Sequence, residues 1–123
     1  MYGNRIHSSP IRWLVWACLT GLLLVLAPTA HAEVPPRVLE IFETKGCKGC
    51  HIVTGIPGAV GQIGPKLDGL GNKARIAGGK LKNNRKNLAK WLRNPKLIKV
   101  TMMPNTGLSE EEIEILVDFF DTL

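Results

Sequence analysis

Two cysteines three residues apart, with a histidine directly behind them, constrain this chain more than any other feature: Cys47-Lys48-Gly49-Cys50-His51. The chain has 123 residues, enough for one small domain. Its remaining cysteine, Cys18, lies in an apolar N-terminal stretch. Cys47 and Cys50 stand too close together to staple distant parts of a fold. A domain of this size buries only about two thirds of its unfolded surface, so its core is thin. Something other than disulfides must fill and fix the interior, and a large apolar cofactor would do it.

The first 32 residues read as a targeting segment. Arg5 and Arg12 make a positive start, an uncharged apolar run follows from Trp13 to Ala27, and Pro28 breaks it. Ala30-His31-Ala32 then offers small residues where a signal peptidase reads, so cleavage is expected between Ala32 and Glu33. The run is short of the roughly 20 residues that span a bilayer. The alternative is an uncleaved anchor held by Trp13 and Trp16. Lipidation at Cys18 is disfavoured, because the apolar run continues past it. Residues 33–123 would form the folded domain.

Along that domain the pattern is helical. Pro36 suits a first helical position, Val38, Leu39, Ile41 and Phe42 share one face, and Gly46 can end the helix. The glycine-rich run from Cys47 to Lys80 should be a loop wrapped over something. Asn87 to Arg93 predicts a short helix with a Leu88, Trp91, Leu92 stripe, stopped by Asn94-Pro95. Ser109 and Glu112 form a capping box ahead of Ile113, Leu116, Val117 and Phe120. No β-strand pattern is visible. The expectation is a small all-α fold of about three main helices with long loops, in which Leu39 and Phe42 of the first helix meet Leu116 and Phe120 of the last.

C-x-x-C-H is a haem-attachment spacing. Two thiols on one turn can each add across a haem vinyl group to form a thioether, and the next residue, His51, is carried under the ring to bind the iron. A redox dithiol would need a βαβ setting, which is absent, and a zinc site would need a second pair of ligands. Beyond residue 32, His51 is the sole histidine, so bis-histidine ligation is excluded. Two methionines, Met102 and Met103, remain as partners for the other side of the iron. The commoner role of such a Met is flexible core filling, but both sit in a short segment between Lys99 and Pro104, just ahead of the capped last helix.

Gly46 to His51, Gly64-Pro65-Lys66-Leu67, Leu88-Ala89-Lys90-Trp91-Leu92-Arg93-Asn94-Pro95, and Met103-Pro104 followed by Leu108-Ser109 together resemble class I cytochrome c across residues 36–123. The likeness is strongest to the cytochrome c domain fused to subunit II of some haem-copper oxidases, with no copper-site portion in this sequence. The resemblance implies one covalent haem c bound through Cys47 and Cys50, with His51 as proximal ligand. It also implies that the Met directly before Pro, Met103, is the distal ligand, with Met102 as fallback. Pro65 would pack on the proximal side, Leu67 would line the pocket, and Trp91 would lie near the haem propionates, with Arg75 and Asn83 as polar neighbours. Ordinary core packing is the alternative for Trp91. Lys96-Leu97-Ile98-Lys99-Val100 stands where the family often has a Pro-Gly-containing run.

His/Met ligation fills both axial positions and suits one-electron transfer rather than attack on a substrate, so an electron carrier is expected, not an enzyme. A gas-binding haem sensor is the alternative from another class, and a second redox role is as an anchored subunit of an oxidase-type complex. Without Arg5 and Arg12, 14 basic residues oppose 10 acidic ones, a net +4. From Lys45 to Lys99 there are 13 basic residues and one acid, and from Glu110 to Asp121 six acids and no base. A positive surface that docks acidic faces of redox partners, such as an oxidase or reductase, is expected, opposite a negative one. Nucleic acid is a poor partner for an exported monomer of this charge. The expected location is the periplasm or the outer face of a bacterial cytoplasmic membrane.

Overall fold

The structure, a computed structural model, describes residues 33–123. The expected leader, its cleavage point and Cys18 lie outside those residues. Three helices carry the fold: α1 (Pro36–Thr44), α2 (Arg85–Arg93) and α3 (Glu110–Asp121). Single 3-10 turns stand at Cys47–Gly49, Leu70–Asn72 and Pro95–Leu97. No helix among the described residues is long and apolar enough to cross a membrane.

The local reasons are legible. Pro36 occupies the first turn of α1, where its missing N–H costs nothing. Gly46, with φ of +74°, turns the chain out of the helix toward Cys47. In α3 the Ser109 hydroxyl accepts from Glu112 N at 3.1 Å, while the Glu112 carboxylate accepts from Ser109 N at 2.8 Å. Helix α2 begins two residues earlier than the apolar stripe suggests. Its cap is Asn84, whose side-chain oxygen accepts from Asn87 N at 2.9 Å, so Arg85 and Lys86 form a solvated first turn that hydrophobic spacing does not reveal.

The buried faces of α1 and α3 meet as expected. Val38, Ile41 and Phe42 pack with Ile113, Leu116 and Val117, all of them essentially inaccessible to water. The Phe42 ring lies edge-on to Phe119 and Phe120, with centroids 6.3 and 6.2 Å away. Phe119 joins the core from beside the expected stripe. Helix α2 buries Leu88, Ala89 and Leu92 against α3. Each of the larger side chains contributes about 1.5–3 kcal/mol when fully withdrawn from water.

Two expectations are corrected. The chain does contain extended structure: β1 (Arg75–Ile76) and β2 (Leu81–Lys82) pair antiparallel, Ile76 opposite Leu81. Each strand is two residues long, too short to display an alternating pattern. The hairpin is closed by Ala77, Gly78 and Gly79, whose φ angles of 54°, 64° and 84° are all left-handed. Secondly, the acids of α3 do not form a free negative face. Arg85 reaches Glu114, Asp118 and Asp121 at 3.1, 2.7 and 3.0 Å, Arg93 grips Glu110, and Glu112 faces Lys45 at 3.1 Å. Charges that sit apart in sequence are brought together by helix packing, so most of the acidic charge is spent between helices.

Candidate functional site

The three helices and the long loop enclose one large cavity of about 770 Å³, within the range of cofactor-sized pockets. Cys47, Cys50 and His51 line one part of it. The 3-10 turn at 47–49 sets them: Cys50 N and His51 N both donate to the Cys47 carbonyl, at 3.2 and 3.1 Å. The chain then folds back, with Gly64 N donating to Cys50 O at 2.7 Å. That return places Pro65 O 2.7 Å from His51 Nδ1. A carbonyl only accepts, so Nδ1 carries the proton and Nε2 keeps its lone pair for a metal.

Met103 lines the same cavity from the segment after α2 and packs against the core, whereas Met102 lines it at the edge and is 83% exposed. Leu67, Leu70, Leu88, Trp91, Leu92 and Phe120 supply apolar wall. Pro65 lines the cavity too. The structure thus brings Cys47, Cys50, His51, Pro65, Leu67, Trp91, Met102 and Met103 to one place. Arg75 is there as well, its Nε donating to Gly79 O at 2.7 Å.

Asn83 is not. Its amide nitrogen donates to the carbonyls of Leu70 and Lys73, both at 2.8 Å. It pins the 70–73 loop through those two carbonyls and does not line the cavity.

The donor set and the lining fit a c-type haem. Lys45, Lys66, Lys73, Arg75 and Lys99 line the cavity and no acid does, which suits a ligand bearing carboxylates. Thr106 Oγ1 lines it as well and is buried without a partner, a polar atom that such a ligand can satisfy. Burial pushes the Cys47 thiol above its ordinary value. Burial thus works against the ready thiolate that a reactive redox cysteine needs. Among the described residues no cluster of three His, Cys, Asp or Glu could hold a bare metal ion. Sequence reasoning missed Thr106 and the rim lysines 73 and 99. Nothing in their neighbourhood marks them until the loops close.

A thin helical shell around one large cavity, with a C-x-x-C-H turn on its wall, defines a protein built to hold covalent haem. The sequence model of the cytochrome c family matches residues 37–123, and the chain belongs to that family. It is 35% identical over 102 residues to cytochrome c oxidase subunit 2 of Alkalihalophilus pseudofirmus, covering 77% of this chain and 29% of that protein. It is 38% identical over 89 residues to cytochrome c oxidase subunit 2 of Bacillus sp. strain PS3, covering 68% of this chain and 25% of that one. The chain therefore spans less than a third of the length of these relatives. No solved structure matches it significantly. Membership of the family assigns the chain one covalent haem c and haem-based electron transfer.

Proposed function

We propose that this chain is a one-electron carrier in which His51 and Met103 are the axial ligands of a haem held by Cys47 and Cys50. The observation that carries the reading is that one cavity is lined by all four side chains. The bound haem supplies a one-electron iron couple, which imidazole and thioether ligation poises at a high potential. The chain's own residues do the rest. Pro65 O orients the His51 ring and makes it a better donor. Core packing favours Met103 over its exposed neighbour Met102. Pro65, Leu67 and Trp91 line the pocket and help exclude water from it. The test is the visible spectrum of Met103→Ala and Met102→Ala proteins in both oxidation states. Loss of the low-spin His/Met signature in the Met103 variant alone supports the assignment, and loss in the Met102 variant alone overturns it.

The partner is an acidic face of a respiratory protein outside the cytoplasm. Among the described residues, Lys73, Arg75, Lys80, Lys82, Lys86, Lys90, Lys96 and Lys99 form no ion pair. Three of them (Lys73, Arg75 and Lys99) line the cavity together with the exposed apolar residues Ile63, Val100 and Met102. Unpaired cations beside apolar surface favour fast, salt-sensitive docking. Electron transfer to an oxidase should slow as ionic strength rises, and a salt-independent rate would count against this surface.

The relatives, both oxidase subunits, favour a second arrangement in which the chain belongs to an oxidase complex; an uncleaved segment 13–27 would then be its anchor. The first arrangement has the leader removed after Ala32. Mass spectrometry of the native N-terminus separates them: a chain starting at Glu33 rules out the anchor.

A further inference from the structure

The segment carrying Met103 is almost untethered. From Val100 to Leu108 no backbone–backbone hydrogen bond is made among the described residues. Two side chains brace the segment internally: Thr101 Oγ1 accepts from Met103 N at 3.2 Å, and Asn105 Oδ1 accepts from Gly107 N at 3.2 Å. Among the described residues, one hydrogen bond ties it to the rest of the protein. Lys45 Nζ, from a residue 62 positions away, donates to Gly107 O at 3.0 Å.

Lys45 is itself held in place. The same ammonium sits 3.1 Å from the Glu112 carboxylate, and the two side chains are only 23% and 11% exposed. Glu112 is fixed in turn by the capping box with Ser109. The clamp therefore runs from the end of α1, two residues ahead of Cys47, to the start of α3, with the Met103 segment caught between them. The Gly107 end of this clamp is exposed and the Lys45 side chain is half-buried, and a charged donor still makes a stronger hydrogen bond to a carbonyl than a neutral one does.

We infer that Lys45 is a positioning residue for the distal ligand, holding the Met103 segment against the cavity by bridging Gly107 O to Glu112. This rests on the reading that Met103 is the distal ligand. The polar partners of the Lys45 ammonium are Gly107 O and the Glu112 carboxylate, so it acts on Met103 through the segment. It limits how readily the segment swings away and exposes the distal position. A loose segment gives way more easily to an added ligand that competes with the thioether.

The experiment uses the haem-loaded protein and free imidazole as competitor. Lys45→Met should bind imidazole to the ferric form about tenfold more tightly than wild type, equivalent to about 1.4 kcal/mol. Lys45→Arg, which keeps the charged donor, should stay near wild type, and Glu112→Gln, which weakens the anchor but leaves Lys45 in place, should fall between. A merely structural Lys45 would lower the unfolding midpoint and leave imidazole affinity unchanged, which overturns the inference. If Lys45→Met fails to take up haem, Glu112→Gln decides, and wild-type affinity there overturns the inference. Met103→Ala serves as the control for the ligand assignment. If it keeps the far-red band of thioether-bound ferric haem, the Met103 reading fails, whereas loss of that band with unchanged Lys45 variants sinks the clamp alone.

Discussion

Gly64 backs directly onto the ring of His51. A Cβ at position 64 would lie 2.4 Å from Cε1, 2.7 Å from Nδ1 and 2.9 Å from Nε2. No side chain fits unless the imidazole moves, and the imidazole is tethered to Pro65 O. Gly64→Ala should therefore cost about 1–3 kcal/mol of stability through overpacking. It should also lower the yield of haem-loaded protein, and the two readouts are thermal unfolding and the absorbance ratio of haem to polypeptide. Unchanged values of both would mean the ring relaxes freely.

Leu116 is 1% exposed and sits where α1, α3 and the cavity meet. Leu116→Ala should cost about 2–5 kcal/mol, measured by denaturant unfolding of the haem-loaded protein. A cost near zero would mean that the site collapses to fill the gap.

Asn83 offers a cleaner test of a misplaced expectation. Removing its amide leaves the Lys73 carbonyl without its donor and the Leu70 carbonyl with the Lys73 N–H alone. Asn83→Ala should lose about 1–3 kcal/mol of stability while leaving the reduction potential where it was. A shifted potential at unchanged stability would return the residue to the haem carboxylates.

The pH dependence should show Glu112. The Ser109 N–H, outweighing burial and helped by Lys45 and Arg37, holds its carboxyl below the ordinary range. A depressed folded value means that the stabilisation is complete above the unfolded value of about 4.3 and is lost as the pH falls through the lowered one. Glu112→Gln should thus be less stable at neutral pH and lose less on acidification. Thermal midpoints taken along an acid series check this, and parallel curves for the two proteins would refute it.

Much of this was legible in advance because it is local. The capping box at Ser109, the proline at the start of α1 and the three-residue spacing of Cys47 and Cys50 depend on neighbours a few positions apart, so the order of residues specifies them. The hairpin at 75–82 was not legible, since two-residue strands carry no period and their stability comes from pairing. The first turn of α2 was hidden for a related reason: Arg85 is anchored by acids on α3, far along the chain.

The sequence alone marked Cys47 and Cys50 as the pair spaced to attach a haem, because covalent chemistry needs only reactive groups at the right spacing. Tertiary structure decided what surrounds that attachment: which methionine packs inward, which lysines reach the cavity, and that Asn83 serves a loop. Those outcomes depend on distances between residues far apart in the chain, and such distances exist only once packing has closed the loops around a common core.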